Sequence, residues 1–338
     1  MSMDRITALR CNLLFLTTLI ATAVPCWAQE PGLENQPSAA DVSLDQTTAT
    51  LEPSDVHARL MFLQSELDQI RFEMGKPELA PLDLDIADVA PREVYFQAET
   101  LFRKADRLSF EHTREVSELP QRPTRTIVPA DVMVVVEASL DRITRVKRHL
   151  GITQSSVQQP TDRSKTPTDV FRAIAATNRQ LNLLLDRPFS PAEVYEQLTL
   201  AIGYTARLRT QFSGDRIPDT PPFVRGKLPI DVYRKLVGCF GIIQQIAAHS
   251  ELPMLNFNAL EGIHREVTPS DVYDIATLLV SELAYLWSQL EDTAPPRPAY
   301  YPGRKFPSHV YQRASLLERQ LAELVALVDS TPGWLVQR

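Results

Sequence analysis

Few side chains in this sequence have the types and spacing that catalysis or metal binding requires. No two histidines stand in the HxxxH spacing of paired metal ligands; they are His57, His112, His149, His249, His264 and His309. The sequence contains no GxSxG nucleophile turn, no phosphate-binding P-loop and no GxGxxG dinucleotide motif. We therefore predict no catalytic residue, no metal site and no cofactor, and we interpret the protein as non-catalytic.

Arginine and tyrosine are polar residues with a regular spacing, because both recur at fixed distances from a repeated proline. The arginines stand four residues before it: Arg125, Arg163, Arg187, Arg225 and Arg265. The tyrosines stand four residues after it: Tyr95, Tyr195, Tyr233, Tyr273 and Tyr311. One interpretation is that these arginines and tyrosines form a recognition surface for an anionic ligand or glycan. We favour the structural alternative, in which the arginines bond the third-position acid of a helix start or the last carbonyls of a neighbouring helix, and the tyrosines are partly buried.

Cysteine chemistry is equally limited. Of the three cysteines, Cys11 and Cys26 lie in an N-terminal segment that we expect to be removed, so no intrachain disulfide is possible in the mature chain. Cys239 lies on an apolar stripe of a predicted helix. We interpret it as a small core residue rather than a reactive thiol.

The proline from which the arginines and tyrosines keep a fixed distance belongs to the motif Pro-x-x-Val, which occurs eight times. Its prolines are Pro53, Pro91, Pro129, Pro167, Pro191, Pro229, Pro269 and Pro307. The successive intervals are 38, 38, 38, 24, 38, 40 and 38 residues. The short fourth interval separates two groups of four copies, which indicates a duplicated four-unit block. Pro332, in TPGW, indicates the truncated start of a ninth unit.

Each copy of the motif predicts a helix that starts with proline at its first position. In three copies a hydroxyl residue precedes the proline and an acid follows at the third helical position, as a capping box requires. These N-cap residues are Thr166, Ser190 and Thr268. Elsewhere the N-cap position lacks a hydroxyl, so we expect the third-position acid to act through the helix dipole and a bond back to the N-cap N–H. His309 is the exception at the third position.

The residues that follow the motif valine predict amphipathic helices. Counting in steps of four and three gives an apolar heptad seam in each unit, for example Val56, Leu60, Leu63, Leu67 and Ile70. This period is typical of four-helix bundles. Most helices are followed by 14 to 18 proline-rich residues, which are long enough to return along a helix. On bundle precedent we favour antiparallel neighbours, and parallel helices with overhand returns remain the alternative.

The N-terminus predicts export. Arg5 and Arg10 flank a short basic region, residues 11–25 are apolar, and small residues precede Gln29 as in a cleavage site. We expect cleavage near Ala28 and a periplasmic or secreted protein; an uncleaved anchor and a lipoprotein lipidated at Cys26 are the alternatives. The rest of the chain contains no apolar stretch long enough to span a bilayer.

Composition limits the class of partner. The net charge is −7 and the pI is near 5.5, which argues against nucleic-acid binding because phosphate contacts need a surplus of lysine and arginine. A hydrophobic content of 44% excludes disorder throughout the chain. We expect an envelope protein, or a second copy of this chain, as the partner.

These observations together predict an all-α protein of eight tandem helix-plus-long-loop repeats of about 38 residues, arranged as two four-helix bundles. The predicted segments are a signal peptide, a disordered leader, two four-helix bodies and a tail, at residues 1–28, 29–50, 51–186, 187–329 and 330–338. We expect an interaction or scaffold module of the cell envelope. The alternative is a periplasmic small-ligand binding protein with its site within or between the bundles.

Overall fold

Eight α-helices and two very short strands make up the regular structure of the described residues. The computed structural model of the protein describes residues 51–78, 85–158, 160–212, 218–257, 267–290, 294–297, 302–331 and 334–335. The helices are α1 Pro53–Glu73, α2 Pro91–Thr113, α3 Pro129–His149, α4 Pro167–Leu184, α5 Pro191–Arg209, α6 Pro229–His249, α7 Pro269–Ser288 and α8 Pro307–Asp329. The strands are β1 Ile86–Ala87 and β2 Asn256–Phe257. The all-α prediction is confirmed.

The predicted signal peptide and leader lie outside the described residues, as does Arg265. Within the described part of the chain, no helix is long and apolar enough to cross a membrane.

The helix starts follow from the motif chemistry. Every helix begins at a repeat proline, whose fixed φ suits the first helical position and whose missing N–H is not needed there. In seven helices a carboxylate oxygen of the third residue accepts a hydrogen bond from the N-cap N–H, as Asp131 does from Val128 at 2.9 Å. In α8 the N–H of Phe306 donates instead to Nδ1 of His309, at 3.2 Å. The predicted back-reaching bond is therefore confirmed, including at N-cap positions without a hydroxyl.

The helices pack in two groups of four. Helices α1 and α2 each pack against both α3 and α4, and α5 and α6 each pack against both α7 and α8. We call α1–α4 the first helix set and α5–α8 the second helix set. Viewed along the helix axes, the four helices of a set stand at the corners of a square. The first two helices occupy opposite corners and the last two occupy the other corners, because each of the first two packs against both of the last two.

The four helices of each set are parallel, so the antiparallel expectation is wrong. The first-position prolines and fourth-position valines of α1–α4 surround one small depression, and those of α5–α8 surround another. Contacts along the helices keep the same register: Arg59 of α1 bonds Glu137 of α3 at 2.7 Å. At the opposite end of the second set, His249 of α6 lies 2.8 Å from Asp329 of α8. All four helices of a set therefore start at one end.

Loop length explains this arrangement. A helix of 21 residues is about 31 Å long, and the connections inside each set contain 15 to 19 residues. At about 3.1 Å per residue in an extended path, such a connection returns to the starting end. Between α4 and α5 only residues 185–190 intervene, so the chain starts α5 where α4 ends.

The two sets therefore point in opposite directions. Helix α2 of the first set packs against α7 of the second. Arg92, in the first turn of α2, bonds Glu282 in the second half of α7, whereas Lys104, farther along α2, bonds Asp274 in the first half of α7. Strands β1 and β2 pair antiparallel across the same boundary, with Ile86 opposite Phe257.

The apolar seams form the core, as the heptad pattern predicts. The eight motif valines are each at most 3% exposed; they are Val56, Val94, Val132, Val170, Val194, Val232, Val272 and Val310. Cys239 is fully buried, and this burial raises the pKa of its thiol to about 12. The prediction of a core cysteine is confirmed.

Candidate functional site

The recurring arginines of the first set bond helix-start acids. Arg125 forms a fork on Asp131, the third residue of α3, with both N–O distances at 2.7 Å. This bond holds the pKa of Asp131 below its usual value. Arg163 reaches Asp55 at 3.0 Å and Glu52 at 3.1 Å, at the start of α1 rather than of its own helix. These two arginines have the structural geometry that we favoured.

The recurring arginines near the second set are placed differently. Arg187 and Arg225 are exposed, and neither guanidinium bonds a described residue. The expectation that Arg225 reaches a helix-start acid or a helix-end carbonyl is therefore wrong within the described part of the chain. Arg304, which stands three residues before the first proline of α8 rather than four, lies over the ring of Phe306 at 5.2 Å.

The recurring tyrosines also divide into two kinds. Tyr95, Tyr233 and Tyr273 are buried, and the ring of Tyr273 stacks on Phe189 with centroids 3.9 Å apart. The other two tyrosines are half-buried at the start of the second set, and each carries two cations. Lys305 and Arg313 stand 4.9 and 5.1 Å from the ring of Tyr195. Lys227 and Lys235 stand 4.4 and 5.2 Å from the ring of Tyr311.

Exposed apolar side chains cluster at the same end of the second set. Phe223, Val224, Leu228 and Phe306 are 44%, 42%, 60% and 51% exposed. The rings of Phe223 and Phe306 flank His309, with centroids 5.0 and 5.8 Å from the imidazole. We define the start face as these four apolar residues together with the cations beside them, Arg225, Lys227, Arg304 and Lys305.

The start face is one continuous patch. The backbone N–H of Lys227 donates to the hydroxyl of Ser308 in α8 at 3.1 Å, and Gln312 of α8 donates to the carbonyl of Pro221 at 2.7 Å. These bonds fix the loop before α6 against the start of α8. The loop brings Phe223 and Lys227 beside Phe306.

The apolar side chains of the N-cap residues on the start face do not cap their helices, although the backbone groups of these residues do. Leu228 and Phe306 occupy N-cap positions, where serine, threonine, aspartate or asparagine would accept an N–H that an apolar side chain leaves unbonded. The sequence signal for this face is the pair of segments FVRGKL and PGRKF, each with adjacent apolar and basic residues before a motif proline. The start face was not predicted from the sequence, because that prediction considered only arginines at one fixed distance before the proline.

A second feature is a small cleft of about 80 Å³ between the two helix sets. Its polar lining residues are Gln97, Asn178, Arg179, Tyr233, Asp271 and Asp274, and its apolar lining includes Phe171, Phe257 and Leu278. Asn178 is only 2% exposed. Its Oδ1 is buried with no hydrogen-bond partner among the described residues, although its Nδ2 lies 3.5 Å from the carbonyl of Gln97. A buried acceptor without a donor carries a free-energy cost unless a ligand or water supplies one.

An ion pair joins Asp274, which lines this cleft, to the buried Lys104. Nζ of Lys104 lies 2.5 Å from Oδ1 of Asp274 and 3.2 Å from the carbonyl of Asn178. The second carboxylate oxygen of Asp274 accepts from Asn182 at 3.1 Å. Burial lowers the pKa of Lys104 and raises the pKa of Asp274, because it penalises the charged form of each group. The pair joins α2 and α4 to α7.

A second buried ionic cluster joins the same helices closer to the start of α2. Arg92 bonds Glu93 at 2.6 Å and Glu282 at 2.9 Å, and its guanidinium lies 3.5 Å from the centroid of the Tyr285 ring. Glu93 also accepts the N–H of Leu255 at 3.0 Å. Burial raises the pKa of Glu282 to about 7, and the nearby Glu93 carboxylate contributes to this shift.

Neither the start face nor the cleft gathers a set of metal ligands. Among the described residues, no group of three or more histidine, cysteine, aspartate or glutamate side chains is placed to hold a metal ion. No protein-family model, curated protein or solved structure matches the chain.

Proposed function

We propose that the protein is an exported, non-catalytic interaction module of the cell envelope, which contacts its partner through the start face. In this proposal residues 1–28 are a signal peptide and residues 29–50 a disordered leader. Residues 51–186 and 187–329 are two tandem four-helix bundles that arose by duplication of a four-repeat block. The alternating helix packing within each set and the repeat spacing support the two-bundle assignment.

The observation that carries the proposal is the contrast between the two helix sets. At the start of the first set, Arg125 and Arg163 are bonded to acids. At the start of the second set, Arg225 is exposed without a described bond, and Phe223 and Phe306 are about half exposed beside it. Grouped exposed apolar residues on a water-soluble body are typical of interaction sites.

A retention experiment tests this function. The exported protein is immobilised and incubated with its own envelope fraction at low and high salt, and Arg225→Ala and Phe306→Ser are compared with wild type. We expect both variants to melt like wild type and to retain less of the envelope partner. Arg163→Ala is the matched control, which should melt at a lower temperature but retain the partner. Equal retention by all four proteins would contradict the proposal.

The cleft supports a second candidate function, the binding of a small periplasmic ligand. The specific observation is Oδ1 of Asn178, a buried acceptor that lacks a partner among the described residues and belongs to a residue that lines a partly apolar cleft. Native mass spectrometry of protein purified from its host would reveal a bound small molecule. We expect the Asn178→Leu variant to be purified without the bound molecule, so that its spectrum shows only the mass of the protein. Gln69→Leu is the control, because Oε1 of Gln69 also lacks a described partner and does not line the cleft.

A further inference from the structure

We propose that the occupant of the start face is the surface of an anionic lipid membrane, to which the protein binds peripherally. In the bound state Phe223, Leu228 and Phe306 enter the headgroup region, and the surrounding cations contact lipid phosphates. This inference rests on the proposed interaction function and names the chemistry of its partner.

Charge complementarity is the first argument. The chain as a whole has a net charge of −7, yet four cations, Arg225, Lys227, Arg304 and Lys305, stand beside the exposed apolar residues. Of the helix-start acids of the second set, Glu193 bonds Arg107 of the first set at 2.7 Å. Asp231 accepts the N–H of Leu228 and is the one such acid beside the start face, so the four cations there outnumber it. A cationic rim around apolar side chains is the composition of proteins that bind anionic membrane surfaces.

Shape is the second argument. The depression between the helix starts of the second set has a volume of only about 10 Å³ and is lined only by the motif prolines and valines, including Pro229 and Val310. A peptide helix or strand would need a groove or a sheet edge with pockets for its anchoring side chains. The exposed residues Phe223, Leu228 and Phe306 instead stand around this shallow depression. Exposed apolar side chains around a shallow depression can insert into the surface of a lipid membrane.

The orientation of the two sets makes the geometry possible. Because the helices of the second set are parallel, all four of their starts share one end of the protein. Because the first set points the opposite way, its own starts, with Arg125 and Arg163 bonded to acids, lie at the other end. A membrane can therefore contact the start face without contacting the start of the first set.

Vesicle co-sedimentation tests the inference. The exported form is used, after N-terminal sequencing has shown that apolar residues 11–25 are absent and cannot insert. The vesicles contain phosphatidylcholine alone or with about one third phosphatidylglycerol. Each arginine near an anionic surface is worth about 1 kcal/mol, or about fivefold in partitioning. We therefore expect Arg225→Ala with Arg304→Ala to bind the anionic vesicles about 25-fold more weakly, with a reduced dependence on salt.

Two further variants separate the contributions. Phe306→Ser should weaken binding about tenfold at low and high salt alike, because it removes apolar area rather than charge. Arg225→Lys with Arg304→Lys should bind like wild type, because binding to an anionic lipid surface depends on the positive charge. A protein carboxylate bound by a guanidinium fork would instead bind the lysine variant more weakly. Arg125→Ala is the control at the other end of the molecule and should bind like wild type.

The outcomes distinguish this inference from the proposed function. Binding that is equal on neutral and anionic vesicles, or that ignores the start-face variants, overturns the lipid assignment. If the vesicles are not bound but retention of an envelope protein depends on Arg225 and Phe306, the lipid assignment fails and the interaction function stands. If neither assay depends on the start face, both fail.

Discussion

The buried carboxyl of Glu282 makes a strong prediction about pH and stability. Glu282 is fully buried between α2 and α7, and burial raises its pKa from 4.5 to about 7. In the unfolded chain the group ionises near 4.5, so between pH 4.5 and 7 the folded state holds a proton that the unfolded state has lost. The stability that this group contributes is therefore present below pH 4.5 and is lost as the pH rises to 7.

The magnitude follows from the size of the shift. One pKa unit corresponds to 1.36 kcal/mol, so a rise from 4.5 to about 7 corresponds to a loss of about 3 kcal/mol across this range. Glu282→Gln removes the titration while keeping the shape of the protonated acid, and Arg92 retains its bond to Glu93. We expect the stability of the variant minus that of wild type to increase by about 3 kcal/mol between pH 4.5 and 7.

Urea unfolding at several pH values measures this difference, because subtracting wild type from variant cancels the titration of groups that do not interact with Glu282. Asp131→Asn is a control of opposite sign. Since its bond to Arg125 lowers the pKa of Asp131, wild type is the more stable protein at neutral pH and loses this advantage as the pH falls into the acidic range. The stability difference between Glu282→Gln and wild type could instead stay constant with pH, or decrease with rising pH as expected for Asp131→Asn. Either result would contradict a raised pKa of Glu282 in the folded protein.

Four other outcomes are expected. Val272→Asp places a charge at a core position that is 2% exposed, so it should lower the free energy of unfolding by several kcal/mol, about 3 or more; a melting curve like that of wild type would contradict the heptad core. His309→Asp restores the acid found in the other seven helix starts and should stabilise the protein by about 0.5–1 kcal/mol in urea unfolding. Arg125→Ala should lower the melting temperature, whereas Arg225→Ala should leave it unchanged. N-terminal sequencing of the exported protein should begin at Gln29, and a sequence that begins at Met1 would exclude cleavage.

The helix starts and the core could be predicted because both are local properties of the sequence. Proline at the first position, an acid at the third and valine at the fourth determine where a helix begins and which face is apolar, and the described helices begin at those prolines. The buried ionic clusters could not be predicted in this way. Lys104 and Glu282 occupy ordinary polar positions within α2 and α7, and they are buried only because another helix set packs over them.

Helix direction depends on information that the sequence does contain, in the lengths of the connections. An antiparallel neighbour starts where the previous helix ends, so it needs only a short loop, such as residues 185–190 between α4 and α5. A parallel neighbour needs a connection that covers the full helix length of about 31 Å, which takes at least about 10 extended residues. Every connection inside a set exceeds this length, and the one connection that falls below it joins the two sets. The interval of 24 residues among intervals of about 38 therefore marks the point where the chain reverses, and the start face lies at one end of the molecule because of that reversal.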